Sequence, residues 1–483
     1  MKKVLLLVFL LGIITINGQD NFDEWLAEQN RNFNDWKSQK DKDFTEFLEK
    51  GWDNYGTETA IVRDSIPKPV EIPNPVDQVP PDLLAGEKVI IEKEYLTQPE
   101  VADIIQDISR NQLLYAVSSG SETLRVNFWG VNVPLSYNKN MLIENCEKYE
   151  SSDIADFWGK ISNTDYEIML EDLGKARAQF NLNDWGYCQL SYKVGMELYK
   201  TEDMANLFCW FVLTKSGYDS KVGYDAEHVY LLLATKTSIF GEPHLVLDEK
   251  DYYCISLGDV GYQPVNLYTY GESYPDADDL IDMNLETSPF LEEVIVERIL
   301  SFSYKDNTWS FPVKQNKTLI EFLGAYPSTD LDVYFLAELS PLARQSLVEG
   351  LSPILEGKTE MAALNILLRF VQTAFPYQTD EQQFGSENSL FPEETLYYDY
   401  CDCEDRSFLF SILVEEFLAL KVIGLDYPGH IATAVELKYE VEGDTISYDG
   451  IDYLVCDPTY INADIGVVMP QFIDVEPDVI QFR

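Results

Sequence analysis

The sequence predicts an α+β chain: an aromatic-striped helix, a proline-rich linker, then two tandem units of mixed helix and strand. Three observations carry this. Aromatic residues recur every 11 positions between Phe22 and Phe47. Prolines crowd the stretch from Pro67 to Pro81. From about residue 85 onward, two long stretches repeat one another's motifs in the same order.

The first segment, 1–18, has a basic start (Lys2, Lys3), an apolar run from Val4 to Ile16 and a small residue, Gly18. This is the pattern of a secretory signal peptide. The run is too short to span a bilayer, which takes about 20 apolar residues. The expected location is secreted or periplasmic, with no transmembrane segment.

Residues 19–62 hold the aromatic repeat. Phe22, Phe33 and Phe44 are spaced by 11, as are Trp25, Trp36 and Phe47, and Trp52 and Tyr55 repeat the three-residue step. Eleven residues fill three helical turns, so one amphipathic helix carries a nearly straight aromatic stripe. Such a stripe packs on the globular body, docks a partner or lies on a membrane surface. Acidic and basic residues are mixed along it, which ranks docking above membrane attachment. Residues 63–84, with six prolines from Pro67 to Pro81, form a semi-rigid linker separating this helix from the body.

The two units run from 85 to 285 and from 286 to 483. Residues 132–142 resemble 310–320. Thr201-Glu202-Asp203 falls opposite Cys403-Glu404-Asp405, His228 opposite His430, and Ser256 opposite Asp457. Thr201 and His228 are 27 residues apart, as are Cys403 and His430. A duplication explains this. Glu-Asp follows the helix start in both units, so Asp203 and Asp405 read as first-turn acids offsetting the helix dipole. The second unit is longer, chiefly through Gln378–Asp399, a natural wall for a cleft.

The net charge of −48 argues against nucleic-acid binding and against attachment to anionic lipid. Seven cysteines leave at least one unpaired in an exported chain. Cys188, Cys209 and Cys254 lie in apolar patterns and read as buried small hydrophobes.

The chemistry-bearing residues cluster in the second unit. Cys403 stands where an apolar helical pattern begins, with Leu409, Leu413, Phe417 and Leu420 at steps of three and four. A helix N-terminus favours a thiolate. Pro428-Gly429-His430 opens a strand-like run, and Val455-Cys456-Asp457-Pro458-Thr459 closes another. His244, in Gly241-Glu242-Pro243-His244, reads as a loop residue. Cys401 is the rival nucleophile; it either pairs with Cys456 or stays free. Cys401, Cys403, His430 and Cys456 would together be a zinc set, but they lack the Cys-x2-Cys spacing of a zinc knuckle.

Over residues 359–470 these motifs resemble the transglutaminase-like superfamily of papain-type cysteine enzymes. Phe391-Pro392-Glu393-Glu394 is similar to its bacterial secreted members. The resemblance implies two papain-like units, the first degenerate. It implies Cys403 as nucleophile, His430 as general base and acid, and Asp457 as the residue orienting the imidazole. It favours Cys403 over Cys401, because the nucleophile directly precedes the acidic turn. Tyr398 and Tyr400 are candidates for the oxyanion site. The implied function is that of a cysteine peptidase or amidase acting on a protein or peptide through a thioester, with no cofactor and no metal. The alternatives are a crosslinking acyltransferase and a non-catalytic binding scaffold.

Overall fold

A computed structural model describes residues 19–63, 85–90, 121–145, 149–258, 261 and 263–482. The signal-peptide pattern, the linker from residue 64 to 84 and Cys146 lie outside these residues. Among the described residues no helix is long and apolar enough to cross a membrane. The chain is a mixed α+β structure, as its patterning predicts.

Helix α1 spans Gln19–Leu48. It is shorter than the aromatic pattern suggests: Trp52 and Tyr55 belong to a strand, β1 (Trp52–Gly56). The break is at Gly51. A Cβ there would sit 2.4 Å from the Phe47 ring, so only glycine lets the chain turn so close to the helix end. The stripe divides in two. Phe44 is buried against Trp158, Tyr274 and Tyr270, its ring meeting theirs edge-on at 4.8, 5.2 and 6.0 Å. Lys215 forms a buried ion pair with Asp41 beside them. Phe22, Trp25, Phe33 and Trp36 remain exposed. The helix is therefore docked on the body at Phe44, and the expected separation of helix from body is not found among the described residues.

The first half continues with the hairpin β2 (Glu122–Phe128) and β3 (Val131–Tyr137). Four helices follow: α2 (Ser151–Ser162), α3 (Glu167–Gln179), α4 (Asp184–Tyr199) and α5 (Glu202–Lys215). Then come β4 (Ser220–Tyr224), β5 (Val229–Ala234), β6 (His244–Leu247), β7 (Lys250–Ile255) and β8 (Asn266–Tyr270). His244 is buried in β6 rather than set in a loop, because Pro243 and the β6–β7 pairing carry it into the sheet. The sheet order is β1-β8-β4-β5-β7-β6.

The second half opens on the hairpin β9 (Ile295–Tyr304) and β10 (Asn307–Asn316). Its helices are α6 (Lys317–Leu323), α7 (Leu331–Leu336), α8 (Pro341–Leu355), α9 (Glu360–Ala374), α10 (Asp380–Gln383), α11 (Pro392–Tyr397) and α12 (Cys403–Leu418). The strands β11 (Val422–Tyr427), β12 (His430–Glu436), β13 (Thr445–Tyr448), β14 (Ile451–Cys456) and β15 (Asp478–Ile480) follow. They pair in the order β13-β14-β12-β11-β15.

Read from the other edge, that order is β15-β11-β12-β14-β13. It matches β8-β4-β5-β7-β6 strand for strand in chain order. The registers match too. Ser220 pairs with Leu233 and Val422 with Val435; Leu231 pairs with Ile255 and Thr433 with Cys456. The last pairing sets Ser256 opposite Asp457.

The aromatic docking gives a direct test. Phe44→Ala should cost about 3 kcal/mol, the usual loss for a buried ring, while Phe33→Ala should change stability by less than about 0.5 kcal/mol. Denaturant unfolding of the two variants measures both.

Candidate active site

The site forms where the start of α12 meets the start of β12. Asp402 is the N-cap of α12 and Asp405 closes a reciprocal capping box with it. Asp405 accepts the N–H groups of Asp402 at 3.2 Å and Leu390 at 2.8 Å. Its role is that of a first-turn acid. Four residues after Cys403, Ser407 lies on the same helix face. Its hydroxyl bridges the carbonyls of Cys403 (2.8 Å) and Ile431 (3.1 Å). The Ile431 N–H in turn is donated to Cys403 Sγ. Helix and strand are thus joined through the residue next to His430.

His430 and Asp457 meet at the ends of neighbouring strands. His430 Nε2 lies 2.9 Å from Asp457 Oδ2, and both side chains are buried. Asp457 is held in turn: its Oδ1 accepts the N–H groups of Thr459 (2.9 Å) and Tyr460 (3.1 Å). That is the geometry of Asp-Pro-Thr turning out of a strand. His430 Nδ1 has no hydrogen-bond partner. With Nε2 committed to the carboxylate, Nδ1 is the nitrogen left for proton transfer. Phe472 lies parallel to the imidazole, 5.2 Å away, and covers it.

The environment of the thiol departs from the helix-dipole expectation. Cys403 is fully buried, and its thiol is pushed well above its ordinary value by burial first and by Glu404 and Asp402 next. Sγ lies 3.3 Å from Glu404 Oε2. Adjacent acids outweigh the partial positive charge of the helix end, and the resting state is the thiol. Burial and the neighbouring charge of Glu404 also push Asp380 up to about 8 and Glu387 up to about 7. Tyr377 stands beside Cys403, brought there by pairing with Cys401. The sequence does not single out Tyr377 and Asp380, because both lie more than 20 residues upstream of Cys403 and carry no motif.

Cys401 and Cys456 are both free thiols, so the disulfide alternative is not formed. Arg406 donates to Cys401 Sγ at 3.4 Å and to the Phe375 carbonyl at 2.6 Å. The four-residue zinc set is not assembled; among the described residues the one converging group of potential metal ligands is Asp380, Asp402 and Glu404. Tyr400 is exposed and Tyr398 stands edge-on to Phe384, so neither is brought to the sulfur by the contacts it makes.

In the first half the corresponding place differs. Thr201 and Asp402 both hold the N-cap, and Asn206 and Ser407 both donate to the carbonyl of the strand's second motif residue, Val229 or Ile431. Counted this way Glu202, rather than Thr201, stands opposite Cys403. His228 Nδ1 is 3.5 Å from Asp203, an acid of its neighbouring helix, instead of a strand-end acid. No protein-family model, curated protein or solved structure matches this chain.

Two further acids support the site from α11. Glu393 accepts the N–H and hydroxyl of Ser340, both at 2.7 Å, and Glu394 accepts the Phe391 N–H at 3.0 Å. Burial raises Glu393 from 4.5 to about 7 and Glu394 to about 8. The folded chain therefore holds protons that the unfolded chain has released. The stability they contribute is complete below 4.5 and is lost as the pH rises through about 8. Thermal unfolding across that window should show Tm falling with pH, and Glu394→Gln should flatten the decline.

Proposed function

We propose that this protein is an exported cysteine hydrolase of the transglutaminase-like type, cleaving amide bonds through a thioester on Cys403. The observation that carries this is the buried His430–Asp457 pair, whose free Nδ1 stands one residue from the N–H donated to Cys403 Sγ. The shared strand order and registers support a duplicated papain-like unit, divided near residue 285, with the first copy lacking the nucleophile. The apolar N-terminal run supports export.

The chemistry follows from the protonation states. His430, oriented by Asp457, takes the thiol proton at Nδ1 as Sγ attacks the substrate carbonyl. The C–S bond forms and the carbonyl π pair moves onto oxygen. The backbone N–H groups at the first turn of α12 lack intrahelical acceptors and suit that oxyanion. Collapse breaks the C–N bond, and the amine leaves with the proton from His430. Water, deprotonated by the same nitrogen, then releases the acid and restores the thiol. A buried thiol requires Phe472 and its neighbours to move for substrate to enter. A neutral thiol at Cys403 agrees with its burial and acidic surroundings; a preformed thiolate does not.

A second reading, a binding scaffold without catalysis, is favoured by one observation: Cys403 and His430 are both 0% exposed.

Iodoacetamide labelling of Cys403, located by peptide mapping, separates the two. Labelling should rise towards alkaline pH, and His430→Ala should slow it about 100-fold, within the range of general-base effects. Thr201→Ala should leave it unchanged. A rate indifferent to His430 establishes the scaffold reading.

A further inference from the structure

The first half of α1 carries its aromatic stripe uncovered. Phe22, Trp25, Phe33 and Trp36 are between 51% and 59% exposed, and Leu26 is 41% exposed. They repeat the spacing of Phe44 and Phe47, where the body covers the stripe. The ring centroids of Phe22 and Trp25 are 5.8 Å apart, as are those of Phe33 and Trp36. From Phe22 to Trp36 the strip runs about 21 Å at 1.5 Å per residue. A contiguous apolar strip of this size marks an interaction surface. The pocket that seats Phe44 is no receptor for it in a second copy, because the chain's own ring fills that pocket.

The ring positions are symmetric about Gln29. Phe22 and Trp36 lie seven residues to either side of it, and Trp25 and Phe33 lie four. Two such helices, antiparallel with Gln29 on the two-fold axis, set Phe22 of one copy beside Trp36 of the other and Trp25 beside Phe33, each contact made twice. Charge selects the same direction. Residues 20–28 hold four acids and no base, whereas in 30–38 Arg31 and Lys37 outnumber Asp35. Antiparallel pairing lays the first stretch along the second; parallel pairing lays acid along acid. Length agrees as well. Gln19, the first residue of α1, falls opposite Gln39, and the first buried side chain among those described in the helix is Asp41. The overlap ends where the helix enters the body.

We infer that α1 pairs antiparallel with α1 of a second copy, making the protein an isologous dimer. The 11-residue period keeps both strips in register with a slight right-handed supercoil. Covering the exposed part of each ring, roughly 100 Å² per aromatic, together with Leu26 and the helix flanks, buries on the order of 1,000 Å² over both copies. That is the lower limit for a specific interface, so the dimer is weak and reversible. The inference is independent of the role given to Cys403.

Sedimentation velocity of the full mature chain, from about 1 to 200 μM, should show a reversible monomer–dimer shift. Trp25→Ala and Phe33→Ala should each weaken the dimer about ten-fold or more, because each contact occurs twice and aromatic anchors dominate interfaces. Val265→Ala, at an exposed apolar residue outside the strip, should leave it unchanged. Under mild oxidation Gln29→Cys should give a disulfide-linked dimer and Gln39→Cys should not, whereas parallel helices would link at both. These positions are all exposed, and an unchanged Tm at monomeric concentration checks that each variant folds. A chain still monomeric at about 200 μM, a dimer indifferent to Trp25 and Phe33, or equal linkage at positions 29 and 39 overturns the inference. A monomer that sediments with phosphatidylcholine vesicles through the same rings also overturns it, in favour of a membrane-surface helix.

Discussion

The second half depends on one junction, the pinning of the first turn of α12 to the first residues of β12. Ser407 bridges carbonyls of helix and strand, and Ile431 returns its N–H to Cys403 Sγ. These bonds replace contacts that the buried helix start and strand start would otherwise make with water. They also decide the depth of Cys403. Because His430 precedes Ile431, anchoring the strand here places His430 next in sequence to the residue that meets Cys403. The register of β12 with β14 then sets Asp457 against it.

The same junction sets the electrostatic character of the site. A helix end packed in the interior invites acids in its first turn, since they satisfy amide N–H groups and offset the dipole. Asp405 does both. Asp402 and Glu404 come with it, and Asp380 closes in from the wall segment. The result is a thiol held neutral among carboxyl groups.

The two halves share a sheet layout and differ at the helix start. Strand order and register are shared, because a sheet covered by a helix has few ways to bury both faces. The side chains at the helix start are not shared. Glu202 stands where Cys403 does, and His228 turns to Asp203 rather than to a strand-end acid. The first half instead supplies the aromatic pocket that seats Phe44. Its sheet also accepts β1 as an edge strand, so the N-terminal helix is anchored to this half.

Much of this was legible in the amino-acid order. Local patterns are short-range physics: the 11-residue aromatic period, the cap before an apolar helical run, the Gly-His opening a strand and the Asp-Pro-Thr closing one. The motif spacing led to the expectation of an internal repeat, and the two sheets share strand order and register. What sequence left open was decided by burial and by long-range approach. Only tertiary packing ended α1 at Leu48 and placed Trp52 in a sheet. Only packing set Glu202 at the position equivalent to Cys403, brought Tyr377 and Asp380 to Cys403 across more than 20 residues, and raised the thiol that the helix dipole alone would have lowered. The reason is that dipole and cap act over one turn and are written in neighbouring residues. Desolvation and the charges of distant segments are set by where the chain folds back upon itself.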